Sequence, residues 1–250
     1  MKPEMNAEEG NLVTDFDGFI IRPIGRGSLE EIIFRMDALH KLQRLGKLVI
    51  NPPLSIERSV DKYHTLALFE EHGLPVPPTV VTESVDQALQ GFHELGGDVV
   101  LKPLFGSRGI GSTRVTDADV AERLFRAIIF SHGVLYLQKF MPHGDSDVRA
   151  FIVGDRVVAA MHRVSENWKT NVSLGAKPVA LSITNELEQM ALEAARVLEC
   201  KIAGVDLLET DEGPVIIELN SQPGWRGLQT VTNSNIAEEI VKYVISSLKA

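Results

Sequence analysis

Val99-Val-Leu-Lys102-Pro-Leu-Phe-Gly106-Ser-Arg-Gly109-Ile-Gly111-Ser-Thr113-Arg-Val-Thr116 sets a glycine-rich loop between two short β-prone runs. The order is strand, loop, strand. Dinucleotide-binding and Walker-type folds need a helix N-terminus directly behind their glycines, so neither reading fits. Lys102 interrupts an apolar strand just before the loop, where a free surface charge would be out of place. Gly106, Gly109 and Gly111, with Ser107 and Ile110 between them, would let backbone N–H groups come close to an anion. Taken alone, the pattern is read equally well as a plain hairpin loop.

Further along, Ala203-Gly-Val-Asp206-Leu-Leu208 and Val215-Ile-Ile-Glu218-Leu-Asn220 flank the turn signal Asp211-Glu212-Gly213. Residues i and i+2 of a strand share a face, so Glu218 and Asn220 point together, and a hairpin paired about the turn would bring Asp206 opposite the neighbourhood of Glu218 on that face. Three oxygen donors would converge, a set suited to Mg²⁺ when a nucleotide's phosphates complete the coordination. The competing reading is a solvent-facing amphipathic hairpin. Against it, Val205, Leu207, Leu208, Ile216, Ile217 and Leu219 make both strands apolar almost throughout, and acids in such strands need a cation. Beside this cluster, the glycine loop and the cations Lys62 and Lys102 point to a nucleotide.

The remaining pattern is α+β. An expected strand over 17–24 leads to a helix from Ser28 to Leu45, with Ser28 and Glu31 spaced as a capping box, then to a short strand at 48–50 and a helix over 59–72. Strands are expected at 79–82, 135–141, 148–153 and 157–163, with helices at 84–95, 117–131, 186–198 and 236–248 and a loop over 165–178. The β-α-β opening is small for an independent domain, so it should pack on the remainder or on another subunit. Asp147, Arg149, Arg163, Lys169 and Asn171 gather around the 148–163 hairpin and its following loop. Each arginine reads equally as an anion site or a structural ion pair, and Trp168 as a loop anchor or a substrate wall.

The chain has 250 residues, 44% hydrophobic and 24% charged, which suits a folded protein with a substantial core and excludes disorder. With 25 Lys+Arg against 34 Asp+Glu the net charge is -9, which argues against nucleic-acid or membrane partners. A single cysteine, Cys200, rules out an intrachain disulfide and a thiolate zinc site. There is no apolar leader and no apolar run of membrane length, so a cytoplasmic protein is expected. No G-x-S-x-G elbow or His-based zinc spacing appears, and acyl-enzyme chemistry has no support.

In order, SVDKY, VVLKPLFGSRGIG, LQKFM, DVRAFIVG, WKTN, AGVDLL and VIIELNSQPG resemble the ATP-grasp superfamily, and within it the RimK-like amino-acid ligases. RPIGRGSLEEIIFRMD and RVSENWKTN are most similar to members that add glutamate to tetrahydromethanopterin. The resemblance implies an ATP-grasp domain of two α+β subdomains over 56–250, with a lid subdomain at about 85–140, after a partial pre-ATP-grasp α/β segment over 1–55. The first strand and helix of that segment would be missing before residue 11, so the chain would be short, or a partner would complete the sheet. The resemblance places Lys62, Lys102 and the 106–111 loop on ATP phosphates and Gln138, Lys139, Phe140 and Met141 at an adenine-side hinge. It gives Asp147 to the ribose, Lys169 and Asn171 to the phosphates, and Asp206, Glu218 and Asn220 to two Mg²⁺ or Mn²⁺ ions. Lys139 stands where an acid is common, and Lys169 where several relatives carry arginine.

The implied reaction joins an amino acid, glutamate by preference, to a small-molecule carboxylate through an acyl phosphate, with Lys102 and Arg163 catalytic and Arg149, Arg163 and Asn171 facing substrate. Rival acceptors are a ribosomal-protein C-terminus, a deazaflavin coenzyme and an amino-acid carrier. A D-alanine ligase, a carboxylase and a non-catalytic nucleotide-binding subunit are the other classes. A homo-oligomer is left open.

Overall fold

The structure, a computed structural model, describes residues 6–7, 10–106 and 109–249; Ser107 lies outside the described residues. A small antiparallel pair, β1 (Asn6–Ala7) and β2 (Gly10–Asn11), precedes a β-α-β unit. In that unit β3 (Gly18–Ile20) and β4 (Leu48–Ile50) are parallel neighbours joined by α1 (Leu29–Arg44). The capping box forms as its spacing predicts: the Glu31 N–H donates to the Ser28 hydroxyl and the Ser28 N–H to the Glu31 carboxylate. β3 is shorter than the expected 17–24 strand, because Pro23 cannot donate to a ladder and Gly25 takes a left-handed turn (φ 86°).

The single helix expected over 59–72 is two, α2 (Pro53–Val60) and α3 (Lys62–Glu71). Asp61 divides them. Its backbone is extended and its carboxylate accepts from the N–H groups of Tyr63 and His64, capping the second helix. Pro53 opens α2 at the position where a missing N–H costs nothing.

An antiparallel sheet of order β5-β8-β6-β7 follows, built from β5 (Thr79–Thr82), β6 (Val99–Lys102), β7 (Thr113–Val115) and β8 (Leu135–Lys139). Its core packs α4 (Val85–Glu94) and α5 (Ala118–Phe130) against one face through Ala88, Phe92, Ala121 and Phe125. β6 and β7 are antiparallel partners, so the glycine loop does sit between two strands.

The second sheet has the order β11-β10-β9-β12-β13: β9 (Ser146–Val153), β10 (Arg156–Val164), β11 (Lys177–Ala180), β12 (Ile202–Thr210) and β13 (Gly213–Asn220). α6 (Asn185–Val197) covers one face, setting Leu187, Ala191 and Ala194 on Ala150, Ile152, Val205 and Ile216. The other face is divided. At one end Phe151, Met161 and Ile202 lie under α7 (Arg226–Gln229) and α8 (Ile236–Ser247) through Leu228, Ile236 and Ile240. The other end carries charges. The expected 165–178 loop in fact holds a 3₁₀ turn (Val172–Leu174) and leads into β11, an exposed edge strand whose pairing with β10 has no local signature.

The β-α-β unit packs on the rest of the chain. Ile50 joins the core under α8. Asn51, 2% exposed, donates to the carbonyls of Ile202 (2.7 Å) and Ser221 (2.5 Å) and accepts from the N–H groups of Lys201 (2.6 Å) and Ile202 (2.8 Å). One amide side chain thus satisfies four buried backbone groups. No helix among the described residues is long and apolar enough to cross a membrane. Asn51→Ala should lower the unfolding free energy by about 3 kcal/mol or more, since buried groups lose their partners. Chemical denaturation checks this, and an unchanged midpoint refutes the tether.

Candidate active site

The register of β12 and β13 puts Asp206 opposite Glu218 and Gly204 opposite Asn220, with Ile217 as an extra residue. That bulge resets the alternation. Ile216 and Leu219 point into the α6 core, while Ile217 and Glu218, consecutive in the chain, both line the same cleft. On the other side of β12, Arg149 of β9 lies opposite Asp206, and Arg163 of β10 lies opposite Asp147.

These charges form one chain of contacts. The Thr170 hydroxyl donates to Asp147 Oδ2 (2.6 Å), Arg163 Nε donates to Asp147 Oδ1 (2.6 Å), and Arg163 Nη2 bonds Asp147 Oδ2. Arg163 Nη2 also lies 3.0 Å from Asp206 Oδ2, which accepts from Arg149 Nη2 at 2.9 Å. Asp147, Arg163, Thr170 and Asp206 are all buried. Signs alternate along the line, so no buried charge is left uncompensated. Burial works against the Arg163 charge, but Asp206 and Asp147 outweigh it and hold the guanidinium protonated. Asp147, expected at a ribose, lines the cleft while its two oxygens accept from Arg163 and Thr170.

Glu218 differs. Among the described residues its carboxylate has no hydrogen-bond partner; burial and Asp206 push its pKa up, while Lys62, Arg149 and Lys102 pull it back. Lys102 donates to Gln138 Oε1 (2.5 Å), and burial, helped by Lys62 and opposed by Glu218 and Asp206, brings its pKa down to about 8. Lys62, also lowered by burial, donates to the Gly106 carbonyl (2.7 Å). Lys169 donates to the Ser112 carbonyl (2.6 Å), and Asn171 Oδ1 fills the space a Cβ would need at Gly109 (φ 67°). Of the lysines expected on phosphates, Lys62 and Lys169 hold backbone carbonyls of the glycine loop and its margins, and Lys102 holds the Gln138 side chain.

The cleft is open to solvent and encloses about 90 Å³, narrower than the roughly 300–1,000 Å³ usual for ligand sites. Lys62, Lys102, Gly106, Gly109, Ile110, Asp147, Arg163, Lys169, Asn171, Asp206 and Glu218 line it, as does Trp168, whose ring stands edge-on to Phe140 at 6.4 Å. Gly111, Arg149, Gln138 to Met141 and Asn220 are not on its wall. Arg149 acts on it through Asp206, and Met141 packs with Leu208 and Ile217. Gln138, 3% exposed, ties Lys102 to Thr79, and the N–H groups of Lys139 and Phe140 bond the carbonyls of Pro78 and Asp98. Sequence reading missed Thr170 and Gly204. A glycine inside an apolar strand signals close approach, and here a Cβ would run into Arg149 Nη1.

Among the described residues no three His, Cys, Asp or Glu side chains gather as a metal site. The donor set is two facing carboxylates, one without a protein partner, and the Asn220 amide two residues on, all oxygen donors of the kind a hard divalent cation takes.

The RimK-like ATP-grasp domain matches residues 59–244. The chain belongs to the RimK-like ATP-grasp family. A tetrahydromethanopterin:alpha-L-glutamate ligase of Methanococcus maripaludis is 36% identical over all of this chain and 86% of its own length. The protein of that name from Methanocaldococcus jannaschii is 37% identical over 96% of the chain and 83% of its length. Among solved structures, a RimK domain protein from Sphaerobacter thermophilus superposes with TM-score 0.75 at 21% identity, covering 96% of this chain and 86% of that one. The ATP-grasp ligase PsnB with minimal precursor, Mg and ADP gives 0.69 at 23% identity over 88% and 69%.

In the RimK-like sheet, Gly204→Ala should displace Arg149 and, with Pro223 Cβ only 3.0 Å away, cost about 1–3 kcal/mol of stability. Thermal unfolding tests it, and an unaltered transition would mean that Arg149 does not need this space.

Proposed function

We propose that this chain is an ADP-forming ligase that joins an amino acid, glutamate by preference, to a carboxylate acceptor, using ATP and Mg²⁺. The single observation that carries the reading is Asp206 facing Glu218 across one cleft with Lys62 and Lys102. The names of the relatives make tetrahydromethanopterin the first acceptor to try. A division into 1–55 and 56–250, two metal ions with Mn²⁺ able to replace Mg²⁺, and a cytoplasmic location belong to the same proposal.

The chain's own groups supply positioning and charge, and no covalent nucleophile is needed. Lys62 and Lys102 would exchange their present acceptors for phosphate oxygens, as would Lys169. Asp206, Glu218 and Asn220 would hold the divalent ions, which neutralise charge on the transferring phosphoryl group. An oxygen of the acceptor carboxylate attacks the γ-phosphorus and ADP leaves. The amine nitrogen then attacks the acyl carbon, phosphate departs with the bridging oxygen, and the amine loses its proton as the amide forms. Arg163, fixed from two sides by carboxylates, presents a permanent positive charge beside the developing oxyanion. Asn171 completes the substrate-facing set, with Arg149 behind it supporting Asp206.

Oxygen-18 in the acceptor carboxylate should appear in released phosphate. Label in AMP, with pyrophosphate formed, would put the protein outside this class; an ADP-release screen of acids against amines would identify the pair used.

Lys102 fixes a pH dependence. Its pKa in the folded, nucleotide-free protein lies below the usual 10.5, at about 8, so the charge that attracts phosphate is present below pH 8 and lost above it. ADP affinity should be flat up to that pH and fall by up to about tenfold per unit beyond. Because the folded state binds fewer protons than the unfolded state between the two values, stability of the nucleotide-free protein should rise across that window. Calorimetric titrations from pH 6.5 to about 9.5 should lose the inflection in Lys102→Met, and an inflection that persists there assigns it to another group.

A further inference from the structure

The carboxyl ends of the parallel strands β3 and β4 abut the segment that follows the metal-facing strand β13. Asn51, next after β4, bonds the Ser221 carbonyl, and Arg22, two residues past β3, donates to the Pro223 carbonyl at 3.2 Å. In α/β units ligands collect outside the carboxyl ends of parallel strands, and here those ends meet the segment just after Asn220. The loop joining β3 to α1 is built to be rigid. Arg35 donates to the carbonyls of Ile24 (3.2 Å) and Arg26 (3.0 Å), and the Ser28–Glu31 capping box closes its far end.

This rigid loop presents uncompensated positive charge in a protein of net charge -9. Arg35, Arg58, Arg114, Arg126, Arg156 and Arg196 each sit against a carboxylate. Among the described residues Arg22, Arg26 and Arg226 do not. Arg44, at the far end of α1, and Arg123, on α5, are the other described arginines without one. The Arg22 guanidinium lies 4.5 Å from the centroid of Trp225, the residue before Arg226, and burial lowers its pKa. Between Asn220 and Trp225, Gln222 Nε2 is buried with no acceptor. An exposed guanidinium stacked on an indole, with a spare amide donor in the adjoining segment, suits an oxyanion.

We infer that the 22–28 loop forms a second anion subsite, in which Arg22, supported by Arg26 and Arg226, holds a carboxylate or phosphate of the acceptor remote from the carboxyl group that reacts. Pro223 is three residues beyond Asn220, so their Cα atoms lie about 10 Å apart at most. The inference rests on the ligase reading and deepens it: the acceptor is at least a diacid.

The test compares acceptor and ATP kinetics in wild type, Arg22→Gln, Arg22→Lys, Arg26→Gln and Arg226→Gln, with acceptors whose distal group is a carboxylate, a phosphate or a methyl ester. The subsite predicts that Arg22→Gln raises the acceptor KM by about tenfold or more while the ATP KM moves less than about twofold, with partial recovery in Arg22→Lys. The methyl ester should show the high KM already in wild type, and the better of the two free acids identifies which anion the subsite takes. Arg26→Gln and Arg226→Gln remove charge without removing a hydrogen bond, so they separate charge from the Arg22 tether. Raised salt should increase the wild-type acceptor KM more than that of the variants. Turnover with an acceptor KM unchanged in all four variants overturns the subsite and leaves the ligase standing. Wild type that joins no acid to any amine overturns the ligase, and this inference with it.

Discussion

Everything in the cleft depends on four charges laid alternately across three adjacent strands: Asp147, Arg163, Asp206 and Arg149. Isolated, each would be untenable where it sits, since a buried ion without a partner costs several kcal/mol. Together they make a polar inlay on a sheet face that α8 covers with apolar side chains only a few residues further along the same strands. The inlay gives the face two uses. One end closes the core and the other stays open to a ligand, with no change of strand direction between them.

The inlay also settles what Asp206 can be. Two arginines hold it, so its carboxylate is fixed in place before any cation arrives. Glu218, opposite it, has no hydrogen-bond partner among the described residues, as the proposed cation site requires. This division, one oxygen pair anchored and one available, comes from the bulge at Ile217, without which Glu218 would turn into the α6 core. Thr170 ties the loop that carries Trp168, Lys169 and Asn171 to the same inlay, so the loop and the sheet keep one register.

What was legible in the sequence follows the range of the interactions. That Asp206 comes near Glu218 was readable because a short turn joins their strands, although the bulge that sets them directly opposite was not, and the Ser28 cap was readable because its signal spans three residues. The strand-loop-strand setting of the glycines was readable for the same reason. The partners of Asp147 and Arg149 were not: the Arg149–Asp206 contact spans 57 residues and arises from β9 pairing with β12, which no local pattern encodes. Asp61 was readable in principle, as an N-cap residue inside an apparently continuous helix, but the apolar period on either side masked the break. Asn51 looked like a simple chain breaker before two prolines, and its four hydrogen bonds reach strands 150 or more residues away.

If Lys62 and Lys169 bind phosphates as proposed, the carbonyls that they now hold would make the cleft selective by valence. A small anion such as inorganic phosphate, arriving at Lys62 or Lys169 alone, must displace a well-made bond to Gly106 or Ser112 and receives a similar bond in return. Its net gain is small. A polyphosphate chain spans several of these cations at once, and after the first exchange each further one is intramolecular, so the gains accumulate while the entropy of association is lost only once. Occupied donors thereby discriminate against abundant monoanions without any group that repels them.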